Sequence, residues 1–230
     1  MPRKPPLTAS LKPENDLLER GYRLIIGIDE AGRGAWAGPV YAGAVCLPLD
    51  RADLSMVLAG VRDSKQMTAR SRSILIAQIQ TVALAWGVGS ASAAEIDSLG
   101  IVPATCLAMR RALEAAAASL TPEYLLLDSI KCADIDTWGY PYHAMVGGDR
   151  LSLSIAAASV LAKVSRDEHM RQMHLLYPDY GFSIHKGYGT ARHHHALNTI
   201  GTCPIHRMSF SPMTPKSKPK RKRESATENP

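Results

Sequence analysis

The sequence predicts an α/β domain in which a mixed central β-sheet is flanked by helices. Short apolar runs rich in β-branched residues, typical of buried strands, are interspersed with longer runs rich in Ala, Leu, Met and Arg, typical of helices. The first strands follow one another directly and the later ones are mixed with helices, an order that favours a sheet with both antiparallel and parallel pairs.

Five strands are predicted from the apolar runs. Residues 23–28 and 39–47 flank a glycine-rich turn and can form a hairpin. Residues 82–88 form a third strand, residues 124–128 form a buried strand that ends in an acid, and residues 142–146 form a fifth.

Four helices are predicted around these strands. They are residues 68–82, residues 104–120, residues 151–176 with Asp149 or Ser152 as the cap, and a helix through the 190s. One face of the longest helix carries only small side chains and Ile155, so this helix can pack closely on the sheet.

Length and composition suit one medium domain with short appendages. The chain has 230 residues, of which 46% are hydrophobic, enough for a sizeable core. We predict a flexible N-terminal segment at residues 1–20, the domain at 21–212 and a disordered basic tail at 213–230. The net charge is +6, most of it in the tail, and a basic balance favours a polyanionic partner.

The sequence lacks the features of a membrane-spanning protein and of a secreted one. No apolar run is long enough to span a bilayer, and no apolar stretch follows the N-terminal charges as it would in a secretory signal. The cysteines are far apart and include no CxxC pair, so we expect reduced thiols in a cytoplasmic protein and no zinc site. These cysteines are Cys46, Cys106, Cys132 and Cys203.

Four acids interrupt or end apolar elements and are candidate metal ligands. Asp29 and Glu30 end the first strand, Asp128 ends the fourth, and Asp167 lies within the longest helix. Carboxylates that meet in one place repel each other, and a bound cation relieves that repulsion. Oxygen ligands suit Mg²⁺ or Mn²⁺, and two such ions can hold an attacking water and a leaving oxygen in line at a phosphodiester.

Each acid also has a structural alternative, and spacing alone does not show that such widely separated residues converge. The alternatives are a turn cap for Asp29, a pair with Arg33 for Glu30, an Asx turn for Asp128, and a pair with Lys163 or Arg171 for Asp167.

The turn Gly32-Arg33-Gly34 directly follows the first two acids. Glycine permits positive φ and a close approach of the backbone to a ligand, while successive N–H groups can bind an anion. Arg33 can add a guanidinium for phosphate. A simple glycine-rich turn between strands is the alternative, and the neighbouring acids favour the functional interpretation.

These motifs resemble those of ribonuclease HII, and the similarity continues in order through residues 23–212. The blocks that carry it are Gly27-Ile-Asp-Glu-Ala-Gly-Arg-Gly34 with Gly38-Pro39, Asp63-Ser-Lys65, residues 104–113, Asp128, Gly148-Asp149, residues 154–167, His185-Lys-Gly-Tyr-Gly-Thr190 and residues 204–210.

The resemblance implies a ribonuclease H-like fold with a helical C-terminal part. It implies an endonuclease that hydrolyses the RNA strand of RNA–DNA hybrids and cuts 5′ to ribonucleotides embedded in duplex DNA, leaving 3′-hydroxyl and 5′-phosphate ends. It further implies that Asp29, Glu30, Asp128 and Asp167 hold two divalent ions, Mn²⁺ or Mg²⁺.

The resemblance also implies how substrate is bound. The backbone of Gly32, Arg33 and Gly34 would sense the 2′-hydroxyl, which both donates and accepts hydrogen bonds. Tyr188 would stack on the neighbouring deoxyribose, where a second 2′-hydroxyl would crowd it. Phosphate contacts are expected from Lys65 and Lys163, with Ser64 as a further contact.

Two positions depart from the family's pattern. Gly147 stands where the family commonly has lysine, and Pro103 stands where it tends to have asparagine. Both changes remove a side chain that can contact nucleic acid, and neither touches the four acids. They put affinity, rather than the reaction, in question.

Other features are interpreted more simply. Residues 193–195 are three histidines that point in different directions from a helix, so we expect a surface run. We assign no chemistry to His185 or His206. The basic tail can raise affinity for DNA in a salt-dependent way. We expect a monomer; the C-terminus has no evident clamp-binding motif, which leaves a sliding-clamp partner open.

Two further functions are weighed against the endonuclease. A related metal-dependent DNA nuclease or resolvase would use the same carboxylates but would cut branched DNA that contains no ribonucleotide. A catalytically inactive module would bind hybrids without turnover, although the presence of all four acids argues against it.

Overall fold

A five-stranded β-sheet forms the centre of the protein, and a computed structural model describes residues 8–62, 64, 67–128 and 132–214. The strands are β1 (Ile25–Ala31), β2 (Val40–Cys46), β3 (Ala85–Ala91), β4 (Tyr124–Asp128) and β5 (Tyr142–Met145). Their order is β3-β2-β1-β4-β5. The β1–β2 and β2–β3 pairs are antiparallel, whereas β1–β4 and β4–β5 are parallel.

Helices cover both faces of this sheet and form the C-terminal part. They are α1 (Lys12–Glu19), α2 (Leu54–Val57), α3 (Ala69–Val82), α4 (Ala93–Leu99), α5 (Ile101–Ala117), α6 (Gly148–Leu151), α7 (Leu153–Leu176), α8 (Phe182–His185) and α9 (Ala191–Ile200). The mixed sheet, its flanking helices and the helical C-terminal part are therefore as predicted. Within the described part of the chain, no helix has both the length and the apolar character to cross a bilayer.

The two longest helices pack on opposite faces of the sheet. Side chains of a strand alternate between faces, so Ile26 and Ile28 join the core beneath α5, while Ile25 joins Ile155 of α7. Glycine lets α7 approach β1 closely, because a β-carbon on Gly27 would overlap the backbone of α7.

Residues 8–20 of the N-terminal segment are ordered where the sequence predicted a loose lead-in. Residues Lys12–Glu19 form α1, and Glu14 within it is fully buried. The Glu14 carboxylate accepts hydrogen bonds from the Ser152 hydroxyl at 2.6 Å and from the Ser154 N–H at 2.8 Å. For this described part of the segment the expected flexibility is wrong, because Glu14 caps the N-terminus of α7.

Element bounds differ from the predictions mainly at the ends. The ladder between β1 and β2 continues to the pair Ala31–Tyr41, so Asp29 and Glu30 lie inside β1 and not at its end. Strand β3 begins later than predicted because α3 continues to Val82. Four short helices were not predicted, since so few residues show no periodicity: α2, α4, α6 and α8.

The cysteines are not all reduced in this structure, contrary to the prediction. Cys106 of α5 and Cys132 after β4 form a disulfide with their Cα atoms 5.6 Å apart. The fold brings together two residues that are 26 positions apart, which sequence spacing does not reveal. Cys46 and Cys203 are free thiols, and burial raises the pKa of Cys46 to about 11.

Candidate active site

Two acids lie beside each other on neighbouring parallel strands. The β1–β4 ladder pairs Ile28 with Leu127, so Asp29 and Asp128 are the next residues in register. Alternation along each strand turns both acids toward the face that α7 covers. Because strands hold their side chains rigidly, these two carboxylates have fixed positions.

Asp149 joins these two acids. Carboxylate oxygens of Asp29, Asp128 and Asp149 all lie within 4.8 Å of one another. The turn after β5 is tied to β4 because the Gly148 N–H donates to Asp128 Oδ1 at 2.9 Å. The sequence suggested Asp149 only as a helix cap, although the α7 cap is Ser152. A third acid, in the short turn region after a strand, was the available signal.

The electrostatics of this carboxylate cluster favour a bound cation. Burial, and then the charges of Glu30, Asp128 and Asp149, raise the pKa of Asp29 well above its ordinary value, while a hydrogen bond from the Glu30 N–H lowers it. A cation among the carboxylates would remove this repulsion. Three oxygen-donating side chains at this spacing fit Mg²⁺ or Mn²⁺.

Glu30 and Asp167 are placed differently from the cluster. Glu30 Oε1 accepts from Arg33 at 3.2 Å, which is the pairing weighed from the sequence. Asp167 bonds Lys163 at 2.7 Å and lies 3.6 Å from Arg72. Among the described residues Asp167 is not part of the carboxylate cluster, so the structure does not group the four acids as predicted.

Arg72 links Asp167 to the loop that carries Ser64. Its guanidinium donates to the carbonyls of Ser64 at 2.7 Å and Met67 at 2.6 Å. Ser64 is buried, and its N–H donates to the Ser159 hydroxyl of α7 at 3.3 Å. Lys65 lies outside the described residues. No sequence motif marks Arg72, whose guanidinium adds a second cation to Asp167 beside Lys163.

The buried side chain of Arg207 hydrogen-bonds the backbone of the turn Gly32-Arg33-Gly34. The Arg207 guanidinium donates to the carbonyls of Gly32 and Arg33, both at 2.8 Å, and of Gly38 at 2.9 Å. In a trans peptide the N–H points opposite to the C=O. The N–H groups of Arg33 and Gly34 therefore face away from Arg207, on the outer side of the turn.

Arg166 of α7 is the second buried arginine under this region. It donates to the carbonyls of Pro39 at 3.0 Å, Ala37 at 3.1 Å and Lys186 at 2.9 Å. Burial, followed by the charge of Arg166, lowers the pKa of Arg207 to about 9. Buried cations are rare unless paired, so the six carbonyls act as their hydrogen-bonding partners.

Tyr188 lies next to the Asp167–Lys163 pair. Its ring centroid is 5.7 Å from Lys163 Nζ and 5.2 Å from Arg166 Cζ, both within the range of cation–π contact. The structure therefore places Tyr188, Lys163 and Asp167 together, as three of the residues that the sequence singled out.

Known proteins resemble this chain over most of its length. The description of the family whose model matches residues 26–213 is Ribonuclease HII. The chain is 49% identical to "Ribonuclease HII" of Chloroflexus aurantiacus over 200 residues, which are 87% of this chain and 92% of the relative. It is 47% identical to "Ribonuclease HII" of Halorhodospira halophila over 194 residues, 84% and 95% of the two chains.

Solved structures share the fold at lower identity. In the PCNA:RNase HII complex from Archaeoglobus fulgidus, the similar chain gives a TM-score of 0.67 at 24% identity, covering 81% of this chain and 95% of that one. Bst-RNase HIII in complex with Mn²⁺ gives a TM-score of 0.63 at 19% identity, covering 83% and 68%. The mixed sheet and its flanking helices are thus a known arrangement.

Proposed function

Because the chain belongs to the ribonuclease HII family, and is thus an endoribonuclease acting on RNA–DNA hybrids, we propose that Asp29, Glu30, Asp128 and Asp149 hold its divalent ions. The observation that carries the proposal is the convergence of three of these carboxylates within 4.8 Å. Glu30 completes the set because its charge is, after burial, the largest cause of the raised pKa of Asp29.

The proposed ions are two in number and are Mn²⁺ or Mg²⁺. When bound, such ions neutralise charge that develops on the phosphate oxygens during hydrolysis. Asp29 and Asp128 contribute rigidity because both belong to paired strands of the sheet. The products would be 3′-hydroxyl and 5′-phosphate ends.

Asp167 takes a supporting role in this proposal instead of the ligand role expected from the sequence. Its carboxylate contacts Lys163 and Arg72, whose side chains are mostly buried. Two cations held by one carboxylate suit phosphates that flank the cut, because charge-assisted contacts fix a phosphate strongly. We assign Lys163 and Arg72 to phosphate, and Asp167 to holding them.

The turn Gly32-Arg33-Gly34 is proposed to sense the 2′-hydroxyl. The N–H groups of Arg33 and Gly34 face outward, while the carbonyls of Gly32 and Arg33 are bonded by Arg207. Outward N–H groups can donate to the 2′-oxygen of a ribose, which a deoxyribose lacks. This turn lies next to Glu30, so the cut is expected 5′ to the ribonucleotide that is bound there.

We also propose that the protein is a cytoplasmic monomer whose basic tail binds DNA. Chromosomal duplexes with embedded ribonucleotides would be the natural substrate in that compartment. Residues 215–230 lie outside the described part of the chain, and their Lys and Arg content would add affinity that falls as salt rises.

The test is cleavage of a labelled DNA duplex that contains one ribonucleotide, with Mn²⁺ or Mg²⁺, analysed on a denaturing gel. A single cut on the 5′ side of the ribonucleotide is expected, with no cut in an all-DNA duplex. Asp128→Asn serves as the matched inactive control. Absence of cleavage with either ion, in a folded protein, would contradict the proposal.

The same assay separates the other candidate functions. A resolvase-type nuclease would cut a branched DNA that contains no ribonucleotide. A binding module would shift the hybrid in a gel without producing cleaved strands. No observation in the site favours either function over the endoribonuclease.

A further inference from the structure

Three buried histidines lie behind the segment that carries Tyr188. They are His185 of α8, His193 of α9 and His206 of the C-terminal segment. His193 is 0% exposed, so the prediction of a surface run is wrong for this residue. The rings of His185 and His193 stack at 4.5 Å, and Phe182 lies edge-on to His193 at 5.6 Å.

The hydrogen bonds of His206 determine where its proton lies. The Cys203 N–H donates to His206 Nδ1 at 2.9 Å. The same nitrogen lies 3.1 Å from the Cys203 carbonyl, which already accepts from the His206 backbone N–H at 3.0 Å. We assign Nδ1 as the acceptor in the neutral ring, which puts the proton on Nε2. His206 Nε2 lies 3.0 Å from His193 Nε2. One of two facing nitrogens must donate, and here it is His206.

The proton of His193 is fixed in turn. Because His193 Nε2 accepts from His206, its own proton is on Nδ1, which lies 3.0 Å from the Tyr188 carbonyl. A carbonyl can only accept. The bonds therefore run in one direction, from the Cys203 N–H through His206 and His193 to the backbone of Tyr188.

His185 holds the other side of the same segment. The Gly187 N–H donates to His185 Nδ1 at 3.2 Å, and His185 Nε2 donates to the Tyr180 carbonyl at 2.7 Å. The peptide that follows Tyr188 and the peptide between Lys186 and Gly187 are therefore each bonded to an imidazole. Gly187 and Gly189 flank Tyr188, and glycine is conformationally permissive. Two backbone bonds hold Tyr188 as well, since its N–H donates to the His185 carbonyl and its carbonyl accepts from the Thr190 N–H, both at 2.9 Å. The imidazole bonds add to these.

We infer that His193 and His206 are positioning residues that fix the Tyr188 backbone, and with it the ring next to Lys163. The inference rests on the proposed function, in which Tyr188 contacts the sugar that follows the ribonucleotide. A ring held in one place can exclude a 2′-hydroxyl at that sugar, whereas a ring on a mobile backbone can move aside. The chain of hydrogen bonds from the Cys203 N–H through His206 and His193 to the Tyr188 carbonyl, which we call the relay, therefore supports selectivity for a ribonucleotide followed by DNA.

The first test compares two substitutions at His193. In His193→Asn the amide nitrogen can replace Nδ1 as donor to Tyr188, whereas His193→Phe keeps the ring shape and loses both bonds. The readout is kcat/KM for one ribonucleotide followed by DNA, divided by kcat/KM for a continuous hybrid. His193→Phe should lower this ratio roughly two- to tenfold, as expected for one lost hydrogen bond. His193→Asn should retain it.

Matched controls separate positioning from stability. Phe182→Leu loosens the same cluster without removing a bond to Tyr188, so it should lower the melting temperature and leave the ratio unchanged. Tyr188→Ala sets the ratio expected when the ring is absent. If Tyr188→Ala loses the preference and His193→Phe keeps it, the inference is overturned while the proposed function stands. If the wild-type protein cuts neither substrate, the proposed function itself fails.

A second test needs no activity and uses the wild-type protein. NMR of ¹⁵N-labelled histidine near neutral pH reports which ring nitrogen carries the proton. The expected tautomers are Nδ1–H for His193 and Nε2–H for His206. The opposite assignment for either ring would overturn the relay, whether or not His193→Phe folds.

Discussion

Gly32 lies directly against Arg166, with a backbone φ of +98° and no room for a β-carbon beside the Arg166 guanidinium. Gly34, two residues later in the same turn, is different. It is exposed, and a β-carbon there would meet nothing within 4 Å. The fold therefore requires glycine at Gly32, whereas at Gly34 the folded protein leaves open space.

The two glycines of the turn should respond differently to alanine. Gly32→Ala should destabilise the protein by about 1–3 kcal/mol, because the methyl group overlaps Arg166 and positive φ strains alanine. Gly34→Ala should change stability by no more than about 0.5 kcal/mol. If substrate approaches that backbone, Gly34→Ala should nevertheless raise KM. Thermal unfolding measures the stability of both variants, and steady-state cleavage measures the KM of Gly34→Ala. An unchanged KM would show that substrate does not use the open space.

Substitutions of Asp149 and Asp167 distinguish the two possible ligand sets. Asp149→Asn should lower activity by more than about 100-fold, since losing a metal ligand should exceed the 10–100-fold effect of residues behind the ligands. Asp167→Asn should act mainly on KM, through Lys163 and Arg72. Calorimetric titration with Mn²⁺ provides the second measurement, with weakened binding expected only for Asp149→Asn.

In the absence of metal, Asp149→Asn and Asp167→Asn should shift the melting temperature in opposite directions. Asp149→Asn should raise the melting temperature in EDTA, because the charge of Asp149 contributes to the repulsion that raises the pKa of Asp29. Asp167→Asn should lower it, because the Lys163 and Arg72 side chains would lose a carboxylate partner. Reversed signs would favour the ligand set that was predicted from the sequence.

Sequence patterns predicted the sheet well because strand and helix periodicity is local. They predicted Asp29 and Asp128 as site residues for the same reason, since each acid breaks or ends an apolar strand. Asp149 was predicted only as a helix cap, because a cap and a member of a carboxylate cluster look alike in the sequence. Asp167 had two equally local interpretations, a metal ligand and a pairing with Lys163 at helical spacing, and the structure contains the pairing.

The arginines beneath the turn could not be predicted at all. Arg166 and Arg207 are fully buried, against the general tendency of arginine to lie at the surface. Their partners are backbone carbonyls that lie far away in the chain, such as that of Gly32. No sequence pattern marks a carbonyl as a partner, so only the folded structure identifies this support.

Stability should depend on Glu14, which caps α7 from another segment. Replacing Glu14 by alanine leaves the Ser152 hydroxyl and the Ser154 N–H without their buried acceptor, which should cost about 1–3 kcal/mol. Glu19→Ala in the same helix is the matched control, because Glu19 is exposed. Chemical denaturation measures both, and equal midpoints would mean that the cap contributes nothing.

Reduction should destabilise the protein through the Cys106–Cys132 bond. Opening a disulfide with this separation should cost about 3 kcal/mol, mainly because the unfolded chain regains freedom. The measurement is the melting temperature with and without a reductant, with mass spectrometry after alkylation to count free thiols. Cys106→Ser is the control and should be insensitive to reductant. Two alkylated thiols before reduction, where four are expected afterwards, would identify the bond.

Acid should destabilise the fold through the buried histidines. Burial is the largest of the influences that lower the pKa of His193 to about 4, with smaller contributions from His185 and His206. The unfolded chain binds a proton below about pH 6.5, and the folded one does so only near pH 4. His193 therefore contributes stability above pH 6.5 that is lost as pH falls toward 4.

His193→Phe should flatten this pH dependence in part, because His185 and His206 also have lowered pKa values and continue to titrate. The check is the melting temperature of both proteins at intervals between pH 4 and 8. The difference between them should be greatest at neutral pH and shrink toward pH 4, where the wild-type ring is charged and its bond with His206 is broken. A difference that stays constant across the range would mean that His193 is not a neutral, buried donor in the folded protein.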